Sequence, residues 1–418
     1  MAHLTPRRMA EVFGVLHNRE LRALWFAEWI SDAGAFISAI ALAVYIHQLT
    51  GSAVAVGLVL AIESLPWFTV GPFLGVLTDR LDRRSVLIAC DLSRAGLVAL
   101  LPFTTQASQA YVLALLVAFF APLFRPARSA LLPQVAPGAE LVPALAVLET
   151  THQVLHTIGP ALGGLAVLLL GPRNAFFLDS VSFLVSTAFI LRLRRRGRPD
   201  VPEDRSAVRE LTEGFAAVAR QPAARAYALL TAAVYLGFSG IVALLVTYVH
   251  DSLGKPAGSY GLVLGAAGLG TVLASLAIAA RDDHHPRTPW AWAAAVSLST
   301  FLLSAADPSF LALLPIAFLA GISDAGISIP MSATLAEALP DEVRGRAYGA
   351  INALVELAGA VGALGFAWLG ERIGVALGMS VAAASSVGFG VLVLLLGGAR
   401  AIAGHERERL AAARDSDV

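Results

Sequence analysis

Ionisable side chains occur inside long apolar stretches of this sequence, and their chemistry needs an explanation. A charged group in hydrocarbon costs roughly 3 kcal/mol on insertion scales, so each one needs a partner or a functional role. Asp32 lies four residues after Glu28, so the two carboxylates share one face of a helix. We expect such groups to bind a small molecule or to carry protons. The full set is Glu28, Asp32, Glu63, Glu149, His152, His156, Asp324 and Glu356.

A carboxylate that carries protons must change protonation near physiological pH, and removal from water moves carboxylates toward that range. Asp32 and Glu63 are the first candidates, because each lies near the middle of its apolar stretch. His152 and His156 are four residues apart, and imidazole changes protonation in the same range. The same groups can instead bind a cationic substrate directly or form internal ion pairs. The sequence leaves these three roles open.

A histidine pair at this spacing also suits a metal or a haem, which would indicate a membrane enzyme or redox protein. The sequence has no HExxH motif and no glycine-rich phosphate loop that ends in GK[ST]. Cys90 is the single cysteine, so no thiolate ligand set is present. We therefore predict no catalytic residue, no metal site and no cofactor.

The elements that carry these residues are predicted to be transmembrane helices. Of 418 residues 57% are hydrophobic and 14% are charged, whereas a soluble domain has roughly 25% charged residues. The formal net charge is zero, so the sequence has no excess of positive charge that would indicate a nucleic-acid partner. Stretches of about 20 apolar residues cross a bilayer as helices. The twelve predicted spans are 21–47, 53–77, 86–105, 109–132, 142–170, 174–193, 226–249, 258–280, 288–305, 309–335, 347–369 and 374–397.

Arginine is unevenly distributed among the connections. The connections after even-numbered helices are rich in arginine, whereas the alternate connections carry little positive charge. The excess of positive charge marks the cytoplasmic side, so both termini are predicted to be cytoplasmic. In the central polar segment, Val208, Leu211, Phe215 and Val218 form an apolar stripe. We expect an amphipathic helix there, lying on the inner leaflet.

The two halves of the chain resemble each other at an offset near 203 residues. Tyr45 and His47 correspond to Tyr248 and His250, and GLVL recurs shortly after each pair. Parallel repeats build transporters whose substrate site lies at the repeat interface. The predicted domains are an N-terminal six-helix bundle over 1–191, a cytoplasmic linker with the amphipathic helix over 192–225, and a C-terminal six-helix bundle with a cytoplasmic tail over 226–418.

The connection between the second and third predicted helices carries a motif, GPFLGVLTDRLDRR, from Gly71 to Arg84. It resembles the loop motif of the major facilitator superfamily. Thr78 and Asp82 depart from that pattern, since they replace a small residue and a second glycine. The matching positions are Gly75, Leu77, Asp79, Arg80, Arg83 and Arg84.

Three other stretches are similar to the bacterial exporter branch that includes macrolide and enterobactin efflux proteins. They are LTGSAVAVGLV from Leu49, RPARSALLPQV from Arg125 and LPDEVRGRAYG from Leu339. The resemblance covers the chain except its two tails. It implies an all-α membrane protein with the major facilitator fold, in which twelve helices form two parallel-repeat bundles.

The resemblance also implies a gating role for the charged connection. Asp79 is expected to latch it to helix eleven, and Arg83 completes the charge network. We assign Asp91 and Arg94 to the same role and expect them near the cytoplasmic surface, paired with the connection or with each other. The gating group comprises Gly75, Asp79, Arg80, Arg83, Arg84, Asp91 and Arg94.

GPALGG in helix five resembles the end of a motif of proton-driven antiporters, although Leu155 stands where that motif has a further glycine. Its members Gly159, Pro160, Gly163 and Gly164 predict close helix approach and a bend. The family's buried arginine of helix four has no counterpart at the usual depth, because we expect Arg125 and Arg128 near the cytoplasmic end.

These features predict a secondary active transporter that exports hydrophobic or amphipathic small molecules by alternating access, with H⁺ as the coupling ion. Its predicted partners are the substrate, H⁺ and the lipid bilayer, and no nucleic acid. It is predicted to be a monomer in the inner membrane of a bacterium. The alternatives are uptake or lipid transport by the same fold, a non-transporting membrane sensor, and the membrane enzyme considered above.

Overall fold

The computed structural model describes residues 14–69, 81–194, 207–279, 308–339 and 341–398, together with residues 400 and 402. Every regular element in these ranges is a helix. The helices are α1 (Arg19–Thr50), α2 (Ala53–Thr69), α3 (Arg83–Leu100), α4 (Ala107–Ala118), α5 (Ala121–Val135), α6 (Leu141–Leu170), α7 (Pro172–Ile190), α8 (Ala207–Arg220), α9 (Pro222–Thr247), α10 (Ser259–Ala279), α11 (Phe310–Ala338), α12 (Asp341–Ile373) and α13 (Val375–Val393).

Eight helical segments of the described part are long and apolar enough to cross a membrane, and two shorter apolar helices accompany them. These segments coincide with predicted spans, as α6 does with 142–170. The span predicted over 288–305 lies outside the described residues. The total of twelve helices and the cytoplasmic termini therefore stay predictions.

The fourth predicted span is interrupted rather than continuous. Helix α4 ends at Ala118, and α5 begins at Ala121 after a turn. Pro122 and Pro126 lie in the first turns of α5, where a proline cannot donate a hydrogen bond to the preceding turn. The interruption separates α4 from the segment that carries Arg125 and Arg128.

The described residues pack into two compact units. Unit one contains the described parts of Met1–Thr50, Thr69–Arg205 and Pro256–Gly268. Unit two contains those of Gly51–Phe68, Ser206–Lys255 and Leu269–Val418. The units therefore depart from chain order, because most of α2 packs in unit two and the first half of α10 packs in unit one.

The core of unit one is formed by apolar side chains of α1, α3, α5, α6 and α7. Leu24, Leu87, Leu131 and Ile190 are all fully buried in it. In unit two, Tyr227 of α9 is fully buried against residues of α12. Helix–helix packing thus buries one face of each element, while many leucines on the opposite faces are exposed.

The linker helix α8 packs against α12 in unit two. Val218 is buried there, and Glu213 forms an ion pair with Arg346. A Cβ atom on Gly214 would lie 2.2 Å from the carbonyl oxygen of Arg346, so the two helices are in close contact. The sequence predicted this helix. Of its apolar stripe, Val218 packs within unit two whereas Phe215 is exposed, and the location of the helix on the inner leaflet stays a prediction.

A carboxylate from α12 binds the N-terminus of α2 in unit two. Glu371 Oε1 accepts hydrogen bonds from the Val54 N–H at 3.0 Å and from the Ser52 hydroxyl at 2.5 Å. The first N–H groups of a helix have no partner inside the helix and favour an anion. A Cβ atom on Gly57 would lie 2.6 Å from the carbonyl oxygen of Ala363, so the same two helices also approach closely along their length.

Asp82 starts α3. Its Oδ2 accepts a hydrogen bond from the Ser85 N–H at 3.0 Å and another from the Ser85 hydroxyl. This is an N-cap, which satisfies one of the unpaired N–H groups of the first turn. The departure from the family's glycine at this position therefore has a local structural role.

We predict that Asp82→Ala lowers the free energy of unfolding by about 1 kcal/mol, because the cap is lost, while Asp82→Gly costs only a few tenths. The measurement is the thermal melting of the purified protein in detergent. Ser85→Ala is the control, since it removes the hydroxyl but keeps the N–H that the cap accepts from. Equal losses in the Ala and Gly variants would contradict the assignment.

Candidate functional site

Five charged or titratable side chains from three helices meet inside unit one. Arg128 of α5 donates a hydrogen bond to Glu28 Oε1 of α1. His152 Nδ1 of α6 lies 2.9 Å from Asp32 Oδ2 of α1, and Arg125 Nη2 lies 3.1 Å from His152 Nε2. We call Glu28, Asp32, Arg125, Arg128 and His152 the charged cluster.

The partners of His152 fix its tautomer. A guanidinium has only donors, so Nε2 accepts from Arg125 and carries no proton. The proton then lies on Nδ1, which donates to Asp32. With a neutral imidazole the cluster contains two carboxylates and two guanidinium groups, so its formal charge is zero.

The two pairs of the cluster differ in burial. The side chains of Glu28 and Arg128 are 11% and 17% exposed, whereas those of Asp32 and His152 are 30% and 21% exposed. A buried pair is costly to break, because the remaining ion has no counter-charge. Glu28 and Arg128 therefore hold α1 to α5, and Asp32 and His152 are the accessible pair.

The sequence predicts Arg125 and Arg128 near the cytoplasmic end of helix four, and the depth of the two side chains in the membrane stays a prediction. Arg125 contacts His152, which lies eleven residues after the start of the 30-residue helix α6. The spacing of charges along one helix could not reveal this, because the partners come from α1 and α6.

Aromatic side chains adjoin the charged cluster. Trp25 Nε1 donates a hydrogen bond to the Thr151 hydroxyl at 2.8 Å, and the Trp25 and Trp29 rings stack with centroids 6.4 Å apart. The exposed ring of His156 meets Phe36 edge-on at 5.5 Å. Such rings provide an apolar wall beside the polar groups. Glu149, on the same helix as His156, is exposed.

A second polar group of unit one joins α3 to α7. Asp91 is fully buried, and its Oδ2 accepts a hydrogen bond from Ser186 at 2.6 Å. The Arg94 guanidinium lies 5.5 Å from the ring centroids of both Phe124 and Phe183. We expected Asp91 and Arg94 to pair with the charged connection or with each other. The structure places both against α7, close enough to attract each other electrostatically.

Asp179 of α7 belongs to this second group and is absent from the predicted set. It is 1% exposed and attracts Arg94 electrostatically. A signal was present in the sequence, because Asp179, Ser182 and Ser186 repeat at i, i+3 and i+7 within predicted helix six. The insertion cost that singled out Asp32 applies equally to this carboxyl group.

The described part of the gating group holds helix ends together. Arg83 Nη1 donates to the carbonyl oxygen of Ala130 at 2.7 Å, which ties α3 to α5. Arg84 donates to the carbonyl oxygens of Ile190 and Leu191 at 3.2 and 2.6 Å, at the end of α7. Gly75, Asp79 and Arg80 lie outside the described residues.

The remaining predicted acids lie in unit two. Glu63 of α2 is half-buried and close enough to Glu356 of α12 for their charges to repel. Asp324 of α11 has an exposed side chain, and both it and Glu356 act electrostatically on Tyr235 of α9. The structure thus places the predicted acids in two groups, one in each unit.

The predicted glycines of helix five lie where other helices approach. A Cβ atom on Gly159 or Gly163 would clash with Phe36 or Ile40 of α1, at 2.5 and 2.8 Å. One on Gly164 would lie 2.6 Å from the Cα atom of Gly261 in α10. Pro160 lies inside the continuous helix α6.

Comparison with known proteins identifies the family. The family model described as "Transmembrane secretion effector", of the major facilitator type, matches residues 10–408. The chain belongs to this major facilitator family. Its relatives and structural neighbours are transporters, which confirms both the predicted resemblance and the prediction that the chain is not an enzyme.

Two relatives are named as efflux proteins. The chain is 28% identical over 363 residues to the multidrug efflux pump Tap of Mycolicibacterium fortuitum, covering 82% of this chain and 87% of Tap. It is 22% identical over 377 residues to macrolide efflux protein A of Streptococcus pyogenes, covering 84% and 89%. The crystal structure of the nucleoside transporter NupG has the same fold, with a TM-score of 0.72 at 13% identity over 90% of this chain and 98% of that one.

We predict that Arg128→Gln destabilises this transporter by about 3–5 kcal/mol, because Glu28 is left buried without its counter-charge. The double variant Glu28→Gln/Arg128→Gln should recover most of that loss. The measurement is the melting temperature and the monodisperse fraction in detergent.

Arg346→Gln is the matched control for this cycle. Its partner Glu213 and Arg346 itself are 37% and 38% exposed, and an exposed ion pair contributes about 0–1 kcal/mol. A double variant no more stable than Arg128→Gln would show that the pair does not hold α1 to α5.

We also predict that Gly164→Ala lowers the melting temperature, since the added methyl group must push α6 away from the backbone of α10; overpacking of this kind costs about 1–3 kcal/mol. Gly96→Ala is the control, because a Cβ atom there meets nothing within 4 Å and the helix gains about 0.5–1 kcal/mol. Equal melting temperatures for the two variants would contradict the close approach.

Proposed function

We propose that this protein is a secondary active transporter that exports hydrophobic or amphipathic small molecules, with H⁺ as the coupling ion. The observation that carries the proposal is the accessible Asp32–His152–Arg125 group inside helices of membrane-spanning length. Two relatives are named for macrolide and multidrug efflux, which supports this substrate class.

The proposal includes the topology predicted from the sequence. Twelve helices form two six-helix bundles over 1–191 and 226–418, with the linker 192–225 and both termini in the cytoplasm. The arginine asymmetry of the connections supports this orientation. We further propose that the protein acts as a monomer in the bacterial inner membrane.

Exchange of substrate for H⁺ follows from the competition of the two for Asp32. In the described arrangement Asp32 accepts the His152 Nδ1–H, and Arg125 holds the opposite ring nitrogen. A proton bound to Asp32 removes the negative charge that attracts a cationic substrate. Binding of one ligand therefore weakens binding of the other, and this reciprocal coupling is what an antiporter requires. Trp25 and Trp29 provide apolar surface for the rest of the substrate.

The test is transport into inside-out membrane vesicles, with a radiolabelled macrolide and ethidium as probes. We expect a pH gradient with an acidic interior to drive accumulation of at least one probe. Asp32→Asn and Glu63→Gln should lower the rate about tenfold or more, which corresponds to at least about 1.4 kcal/mol. Lys255→Gln, in the loop between α9 and α10, is the control and should transport normally.

Two outcomes would overturn the proposal in different ways. Gradient-independent transport that both carboxylate variants leave unchanged would exclude H⁺ coupling through these residues. Higher probe content in whole cells that contain the protein would reverse the direction and favour uptake.

A further inference from the structure

The carboxyl group of Asp179 lies in a closed site between α7 and α1. It is 1% exposed, and the backbone of α1 covers it at Gly34. A Cβ atom on Gly34 would lie 2.5 Å from Asp179 Oδ1 and 2.0 Å from Ser182 Oγ. Only glycine leaves room for this contact, so α1 closes directly over the carboxyl group, two residues from Asp32.

The hydrogen bonds at this site leave room for an additional proton on the carboxyl group of Asp179. Ser182 Oγ lies 2.7 Å from the Asp179 carbonyl oxygen and 3.2 Å from Asp179 Oδ1. A hydroxyl has one hydrogen, and the shorter contact to an oxygen that can only accept uses it. The contact with Oδ1 becomes a hydrogen bond when the carboxyl group carries the proton and donates to the Ser182 lone pair.

The charges around Asp179 lead to the same state. From α3 it faces Arg94 and Asp91, and from α1 the hydroxyl of Ser38 bonds to it. Arg94 can balance only one of the two carboxylates, and Asp91 is itself fully buried with Oδ1 lacking a partner among the described residues. A second ionised carboxyl group would leave one buried negative charge without a counter-charge, which strongly destabilises the helix arrangement.

The charged cluster does not contain more carboxylates than cations. Its two carboxylates are matched by Arg125 and Arg128, so it is neutral without an added proton. Among the described residues of unit one, carboxylates therefore outnumber cations at the Asp179 site and not at the charged cluster.

We propose that Asp179 is a proton-binding site of this transporter, protonated while α1 covers it and deprotonated when α1 moves away. The inference rests on the proposed H⁺ coupling. On release, the O–H bond of the carboxyl group breaks and the proton passes to water. The carboxylate that remains is balanced by Arg94, whose guanidinium moves from the Phe124 and Phe183 rings toward the Asp179 carboxylate. No electron transfer is involved.

Infrared spectroscopy of the purified transporter at neutral pH tests the protonation state without any substrate. Asp179→Asn, which keeps a donor for Ser182, should remove the C=O band of one protonated carboxylic acid per chain. Ser182→Ala should shift that band and keep its intensity, because only its hydrogen-bond acceptor is lost. Loss of ionised carboxylate absorption in Asp179→Asn, or loss of the acid band in Asp91→Asn with no loss in Asp179→Asn, would overturn the proposal.

Transport measurements separate this proposal from the proposed function. In reconstituted vesicles with ethidium or the radiolabelled macrolide, Asp179→Asn should lose at least nine-tenths of gradient-driven accumulation, a tenfold effect, while exchange of labelled for unlabelled probe continues. If the gradient drives equal probe accumulation by the wild-type protein and by Asp179→Asn, Asp179 is not a proton-binding site of the transport cycle. The proposed H⁺ coupling is then retained. If the wild-type protein itself ignores the gradient, the proposed function fails first.

Discussion

Unit one depends on the pairing of charges inside a set of apolar helices, where removal from water makes an isolated ion costly. Arg128 and Glu28 join α5 to α1, and Arg125, His152 and Asp32 join α5, α6 and α1 in a chain. Each helix therefore supplies a group that only another helix can balance. The same contacts that stabilise the helix arrangement also present the accessible carboxylate of Asp32.

Small residues provide the complementary constraint, since they allow backbones to meet. Gly34 lets α1 lie over Asp179, and Gly164 meets Gly261 where α6 contacts α10. Without a hydrophobic force between helices in lipid, such close contacts are a main source of association. A helix that both closes a buried carboxyl group and carries an accessible one, as α1 does with Gly34 and Asp32, can connect two ligand sites through its own displacement.

Local patterns predicted the helices well and their partners poorly. Predicted span 142–170 is α6, and the stripe of Val208 to Val218 is the helix α8. Hydropathy describes what surrounds a segment on average, so it missed the break between α4 and α5 and the packing of α8 on α12. It also gave no neighbour for Glu63, which lies close to Glu356 in unit two.

The sequence by itself determined that this chain is a helical membrane transporter, because length, hydropathy and the motif around Asp79 are properties of contiguous residues. It also indicated Asp32 and His152 as candidate site residues, because ionisable side chains are rare within apolar stretches. Only the tertiary structure decided that Arg125 contacts His152 and Arg128 pairs with Glu28, that Asp82 caps α3, and that Gly34 covers Asp179. The contacts of Arg125, Arg128 and Asp179 are with residues far away in the chain. The free energy of each contact depends on burial and on counter-charges from other helices.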